Sequence, residues 1–544
     1  MVFREDKGVG ELTDQNLRWE APLRRERHYG NRVVACYPDR PANVYAMFAQ
    51  AVAKCPDNTA IVFGDQRLTY AMLSDQVARV AAGLAARGLG QGDRIALLLG
   101  NGIPFVVVVY AAAQIGAVAV PLSTRDQRPG LLHALTNSGA KAIVTDDEFT
   151  HLVPDAADAP DLVIRLSVGG ADGFEEYQAL LAAQPMIGVA EVAEEDPAFI
   201  LYTSGTTGVP KGAMLTGLGV VHSATNFIQI MDLGPDDCTI LVVPMNHVTG
   251  LVAGILTILR AAGTLVVMRE FAVQPFLETA AREGLTFSVL VPAMYNLCLH
   301  RATLSDYDLS AWRIGGYGGA PMPAATIERM ADALPGLGLM NVYGATELSS
   351  PATAMPVSET AQRRLSVGLP VPGAEICVMD NDGRELPAGE TGELWIRGAM
   401  TVPGYWNNPE ATEREFVAGF WKSGDMGMID QQGFVHVQDR KKDMVNRGGH
   451  KIFSSEVESV LTAYPGVFEA AVVAKPCPIL GERVHAVLSV AAGGIDEEGL
   501  NQHCAERLSD YKCPESFTLQ ETPLPRNANG KIMKREIRIE LGYA

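Results

Sequence analysis

Residues 202–212 read Tyr-Thr-Ser-Gly-Thr-Thr-Gly-Val-Pro-Lys-Gly, and their side chains suit phosphate binding. Hydroxyls stand on Thr203, Ser204, Thr206 and Thr207, while Gly205, Gly208 and Gly212 let the backbone turn sharply and approach a ligand. Lys211 adds a mobile point charge of the kind that tracks phosphate. The run 198–202, Ala-Phe-Ile-Leu-Tyr, is expected to be a strand feeding the loop. A strand leading into such a turn is a cradle of backbone and side-chain donors. It is not a Walker A loop, because Pro210 stands where the second glycine would fall and Gly212 follows Lys211 in place of Ser or Thr. The chemistry implied is a grip on a nucleotide triphosphate by another route.

Further motifs lie on either side of this loop's target. Pro244-Met-Asn-His-Val-Thr-Gly250 is followed by the glycine-dense Gly315-Gly-Tyr-Gly-Gly-Ala-Pro321, which lacks the GxGxxG spacing of a dinucleotide fold. Asn341-Val-Tyr-Gly-Ala-Thr-Glu347, Trp421-Lys-Ser-Gly-Asp425, Arg440 and Pro525-Arg-Asn-Ala-Asn-Gly-Lys531 complete the series. In this order, and over nearly the whole chain, these motifs resemble those of the adenylate-forming superfamily: acyl- and aryl-CoA synthetases, peptide-synthetase adenylation domains and firefly-type luciferases. The likeness is greatest to a stand-alone AMP-forming acyl-CoA synthetase.

The resemblance implies roles for particular residues. Thr203, Ser204, Gly205, Thr206, Thr207 and Lys211 would grip the phosphates, and Gly318, Gly319, Ala320, Tyr343 and Gly344 would line the adenine. Thr346 would donate to the α-phosphate and Glu347 would hold Mg²⁺. Asp425, preceded by Ser423 where threonine is commoner, and Arg440 would bind the ribose. Lys531 would swing in as the adenylation lysine, with Lys442 at the hinge where many relatives have Asp. Gly448 and Gly449 would give room to the thiol arm of coenzyme A, although His450, Lys451 and Ser454 depart from the commoner Glu, Asn and Pro. His247 would be the gate to an acyl pocket lined by Val248, Thr249, Leu251, Tyr317, Gly319 and Leu348. None of these lining residues is charged, and a buried charge needs a partner, so a neutral alkyl or aryl tail is expected.

The implied reaction joins a carboxylic acid to AMP from ATP, releases pyrophosphate, then passes the acyl group to coenzyme A after the small domain rotates. His247, Thr346, Glu347 and Lys531 are the expected catalytic residues. About 13 residues follow Lys531, too few for a carrier domain, so a diffusible thiol acceptor is expected. Loading of a separate carrier protein is the same-chemistry alternative, and a silent adenylate-binding protein the alternative of another class.

Composition agrees with an enzyme of this size. Of 544 residues, 47% are hydrophobic and 20% charged, which fits several packed cores and no disordered chain. Net charge is 44 minus 63, or −19, which argues against nucleic acid or an anionic membrane as the main partner. The eight cysteines are scattered with no CxxC pair, which points to a cytoplasmic protein; no secretory signal opens the chain, and a homodimer is left open. Residues 100–122 carry no charge, yet Pro104, Gln114 and Gly116 divide them into a buried helix and a buried strand.

The elements that must position these groups follow from periodicity. A hairpin is expected around Gly64-Asp65, then helices over 71–88, 103–115 and 129–138 alternating with strands over 94–99, 117–121 and 142–145. After the phosphate loop the alternation returns, with strands over 239–243, 264–267 and 287–291 and helices over 250–261 and 273–283. Two such rounds predict an α/β fold with two layered subdomains. A β-rich subdomain of hairpins is expected from about 365, and a small mobile α+β domain after the charged run 439–443. The expected division is 1–441 for the acyl and ATP site and 442–544 for the cap.

Overall fold

The computed structural model describes residues 19, 21–203, 209–526 and 532–543. The first α/β round folds about a seven-stranded sheet in the order Lys211–Thr216, Pro197–Thr203, Val118–Pro121, Arg94–Leu98, Ala142–Asp146, Ile164–Val168, Glu175–Glu176. Its strands are parallel except Lys211–Thr216, which runs antiparallel to Pro197–Thr203 at one edge. The central strands are apolar because helices cover both faces of the sheet, as parallel sheets require. The uncharged stretch resolves as read: helix Ile103–Gln114, then the buried strand Val118–Pro121. Among the described residues no helix is long and apolar enough to cross a membrane.

The second sheet has nine strands, with Cys238–Leu241, Thr264–Val267, Phe287–Leu290, Ile314–Tyr317 and Gly338–Tyr343 at its parallel centre. The hairpin Thr59–Phe63 and Gln66–Thr69 was expected to belong to the first round. It adds instead to the edge of this second sheet, with Ile61 beside Leu265. Strand pairing is set by tertiary packing, so sequence order alone misassigned it. The two layers are thereby stitched together by chain exchange. The helix expected over 250–261 divides into a π-helix at Thr249–Leu256 and an α-helix at Thr257–Ala261.

A five-stranded sheet follows, built on Glu375–Met379, Gly392–Arg397, Phe420–Ile429 and Val435–Arg440. Asp439 and Arg440 therefore end a strand and are not free linker, and only residues 441–443 form the exposed turn beyond it. The last sheet pairs Val467–Cys477 with Gly481–Val490 over a separate apolar core that includes Val457, Leu461 and Leu500. Contact between this unit and the preceding sheet runs through Asp439, whose carboxylate accepts the backbone N–H of Ser454 at the start of helix Ser454–Thr462.

The main core locks helix Val44–Lys54 onto helix Ile103–Gln114 by stacking Phe48 on Tyr110, ring centroids 4.4 Å apart. Both rings are almost wholly buried. Phe48→Ala should cost about 3–5 kcal/mol, read as a lowered thermal midpoint of the large unit.

Candidate active site

The phosphate loop joins the antiparallel strands Pro197–Thr203 and Lys211–Thr216, so it is the tip of an edge hairpin. Ser204, Gly205, Thr206 and Thr207 lie outside the described residues. Segment 404–406 pairs with the far side of this hairpin: Met214 N–H donates to the Gly404 carbonyl at 3.1 Å and Trp406 N–H to that of Gly212 at 2.7 Å. Thr203 and Lys211 are cross-strand partners, so both side chains leave the same face.

Lys211, expected to grip phosphate, is paired here with Glu415. It is only 6% exposed, and its ammonium lies 2.6 and 2.7 Å from the two Glu415 oxygens. The same nitrogen sits 4.4 Å from the centre of the Tyr405 ring. Taking a buried ammonium away from its carboxylate is costly, which explains why it is not extended toward the loop tip.

Glu347 lies on a short 3-10 turn, Thr346–Leu348, with its carbonyl accepting Val402 N–H at 2.9 Å. Its carboxylate is buried and faces two hydroxyls, Tyr405 at 3.0 Å and Thr203 at 3.4 Å. Burial pushes the Glu347 carboxyl above its ordinary range. No cation is ion-paired with it among the described residues. Such a hard oxygen, buried and without an ion-paired cation among the described residues, fits Mg²⁺. Tyr405 also reaches Glu415 at 2.7 Å, so one phenolic proton stands between two carboxylates. At Glu415 burial acts upward, but hydrogen bonds from Lys211, Tyr405 and Arg414 outweigh it and hold the carboxyl low.

Asp425 is buried, with Tyr343 donating to one oxygen at 2.6 Å and Arg440 Nε 3.0 Å from the other. Strands Phe420–Ile429 and Val435–Arg440 bring Asp425 and Arg440 opposite each other in register. Ser423 sets the turn: its hydroxyl donates to the Leu394 carbonyl at 2.7 Å and accepts Asp425 N–H at 2.9 Å. Gly318, Gly319 and Ala320 follow strand Ile314–Tyr317, next to strand Gly338–Tyr343 that ends in Tyr343. Gly344 and Thr346 continue from Tyr343 toward Glu347, so Tyr343, Glu347, Asp425 and Thr203 bring together three sheets.

The gate segment precedes the π-helix. His247 is half-buried, with its N–H on the Pro244 carbonyl at 3.3 Å and its carbonyl accepting Leu251 N–H at 2.7 Å. Gly250 is packed so closely that a Cβ would fall 2.2 Å from the Pro244 oxygen. Val248 and Thr249 keep exposed surface, but three expected lining residues do not. Leu251 and Leu348 are 0% exposed in apolar cores, and Tyr317 packs in the second core at 2%. These three side chains are packed in apolar cores. The space against Ile240, Leu241, Val243, Thr249, Ala253 and Val289 is only about 10 Å³, room for about one water.

Gly448 and Gly449 form the two-residue turn between strands Val445–Arg447 and His450–Ile452, with φ of +60° and +91°. Left-handed geometry at both positions accounts for both glycines. Lys442 lies in the exposed turn after Arg440, and Lys531 falls outside the described residues. Tyr405 and Glu415 were not singled out from sequence. Glu415 sits in a Thr-Glu-Arg-Glu run that reads as a solvated helix face, and one chain carries no signal that it turns inward.

The profile of the AMP-binding enzyme family matches residues 48–406, and that of the AMP-binding enzyme C-terminal domain matches 456–531. The chain is 35% identical to a feruloyl-CoA synthase of an Amycolatopsis species, over 90% of this chain and 96% of that protein. It is 34% identical to a long-chain-fatty-acid–CoA ligase of Mycobacterium tuberculosis, over 87% of this chain and 93% of that one. Among solved structures, the o-succinylbenzoate coenzyme A synthetase of Bacillus subtilis in complex with ATP and magnesium ion aligns with a TM-score of 0.81 at 28% identity, covering 90% of this chain and 99% of that one.

The Lys211–Glu415 pair makes a pH-dependent contribution. Glu415 is depressed in the folded state, so its stabilisation is present above the unfolded carboxyl value and lost as pH falls through the folded one. Lys211→Met should therefore cost about 3–5 kcal/mol at pH 7. The deficit should shrink below about pH 4.5 as Glu415 protonates. Thermal midpoints of both proteins across pH measure it.

Proposed function

The chain belongs to the AMP-binding enzyme family, and on that premise we propose that it is an AMP-forming carboxylate–CoA ligase for acids with a neutral alkyl or aryl tail. The observation that carries the reading is the meeting of Asp425, Arg440 and Tyr343 with Glu347 and the Thr203 hairpin, groups drawn from three sheets. One group is poised for a ribose diol and the other for charged phosphate.

In the first half-reaction a carboxylate oxygen attacks the α-phosphorus of ATP, the bond to pyrophosphate breaks, and acyl-AMP forms. Asp425 accepts from the ribose hydroxyls, with Tyr343 and Arg440 fixing its two oxygens beforehand. Thr346 and the hairpin hydroxyls donate to phosphate oxygens, and Lys531 adds positive charge to the crowded transition state. Glu347 would hold Mg²⁺, which when bound offsets the charge of the phosphates. In the second half-reaction the thiol of coenzyme A attacks the acyl carbon and the bond to AMP breaks.

We assign the division into 1–441 and 442–544 to this alternation, with Lys442 in the exposed turn as hinge. The glycine turn at 448–449 would then lie along the thiol's path. His247, Val248 and Thr249 flank the acyl entrance, and the absence of charge on Val248, Thr249, Leu251, Tyr317 and Leu348 supports a neutral tail.

A panel of alkyl, aryl and dicarboxylic acids, assayed for pyrophosphate release with and without coenzyme A, tests the reading. Release should require a neutral-tailed acid, and thioester should form only with coenzyme A. Adenylate that builds up and is not consumed by coenzyme A would move the acceptor to a carrier protein. Lys531→Ala should slow adenylate formation by about 10²–10³-fold. Lys442→Pro should spare adenylate formation and suppress thioester formation, and equal loss of both would remove the hinge assignment.

A further inference from the structure

We propose that Glu415 is a positioning residue that keeps the Lys211 ammonium off Glu347, so that the Glu347 carboxylate stays open to a divalent cation. The proposal rests on the reading of Glu347 as the metal ligand. Its basis is a competition among three charged groups around one tyrosine.

Tyr405 Oη is 2.7 Å from Glu415 Oε2 and 3.0 Å from Glu347 Oε1, so the two carboxylates are neighbours across a single hydroxyl. Lys211 holds Glu415 in a bidentate contact, at 2.6 and 2.7 Å, with its nitrogen over the same tyrosine ring. Thr203, the cross-strand partner of Lys211, faces Glu347 at 3.4 Å. The lysine therefore leaves the hairpin on the side where Glu347 lies. A flexible four-carbon stem lets an ammonium move from one carboxylate to its neighbour.

What holds it at Glu415 is the stronger pairing there, in which both oxygens are engaged. Glu347 has no ion-paired cation among the described residues, and Arg440, the other nearby charge, is engaged by Asp425 at 3.0 Å. If Glu415 loses its charge, Glu347 becomes the nearest carboxylate for Lys211. The ammonium would then stand where a divalent cation should bind. The plain alternative is that Glu415 only tethers the end of helix Pro409–Glu415 to the hairpin.

The two are separated by metal affinity in a pair of variants of the full chain. Free Mn²⁺ is titrated by electron paramagnetic resonance with a non-hydrolysable ATP analogue present. Glu415→Gln should weaken Mn²⁺ binding by about tenfold or more. Adding Lys211→Met to Glu415→Gln should restore it to near the wild-type value, because the competing ammonium is gone and no unpaired charge remains. Unchanged affinity in Glu415→Gln, or a double variant as weak as the single, would overturn the proposal in favour of a tether. Glu347→Gln separates the premise: if it leaves affinity unchanged, the metal-ligand reading fails and takes the proposal with it. If Glu347→Gln weakens binding while Glu415→Gln does not, the proposal alone falls.

Discussion

A protein of net charge −19 that handles a polyanion must place its few cations with care, and one buried ammonium organises much of this site. Lys211 joins the edge hairpin of the first sheet to Glu415 and Tyr405, and Tyr405 reaches on to Glu347 beyond the end of the second. Three distant stretches of chain are thus tied at one point. The backbone pairing of 404–406 with 212–214 holds the same stretches in register. Because the pair is buried and the hydrogen bonds are charge-assisted, its geometry is fixed before any ligand arrives. Preorganisation of this kind lowers the cost of gathering phosphate charge.

The same logic appears at Asp425. Its carboxylate is bracketed by Tyr343 and Arg440, and Ser423 fixes its backbone N–H. The hydroxyl of Ser423 does this through two short hydrogen bonds, which explains why serine serves where threonine is commoner. Asp425 and Arg440 therefore sit on paired strands, while His247 is followed by a π-helix packed closely against Pro244. Irregular helices of that kind often mark functional sites.

Much of this was legible in the sequence. Alternating strands and helices gave an α/β fold, and the motifs at 341–347 and 421–425 led to residues that do converge. What was hidden is non-local. The hairpin at 59–69 joins the far sheet because edge pairing depends on which layer exposes an apolar edge, and sequence proximity does not carry that information. Nothing in the sequence near Lys211 announces Glu415, 204 residues away, as its partner. Leu251 and Leu348 are buried in apolar cores, a depth that motif spacing does not carry. Motif spacing locates a backbone segment, and packing decides which way each side chain points.

The central claim is that an acid oxygen attacks the α-phosphorus of ATP before the thiol is acylated. Turnover of a neutral-tailed acid carrying ¹⁸O in its carboxyl group, with ATP and coenzyme A, tests this most directly by mass spectrometry of the products. The oxygen that forms the anhydride stays with phosphorus when the thiol displaces it, so AMP should carry one ¹⁸O and pyrophosphate none. Label in inorganic phosphate with ADP as the nucleotide product, or unlabelled AMP, would contradict it.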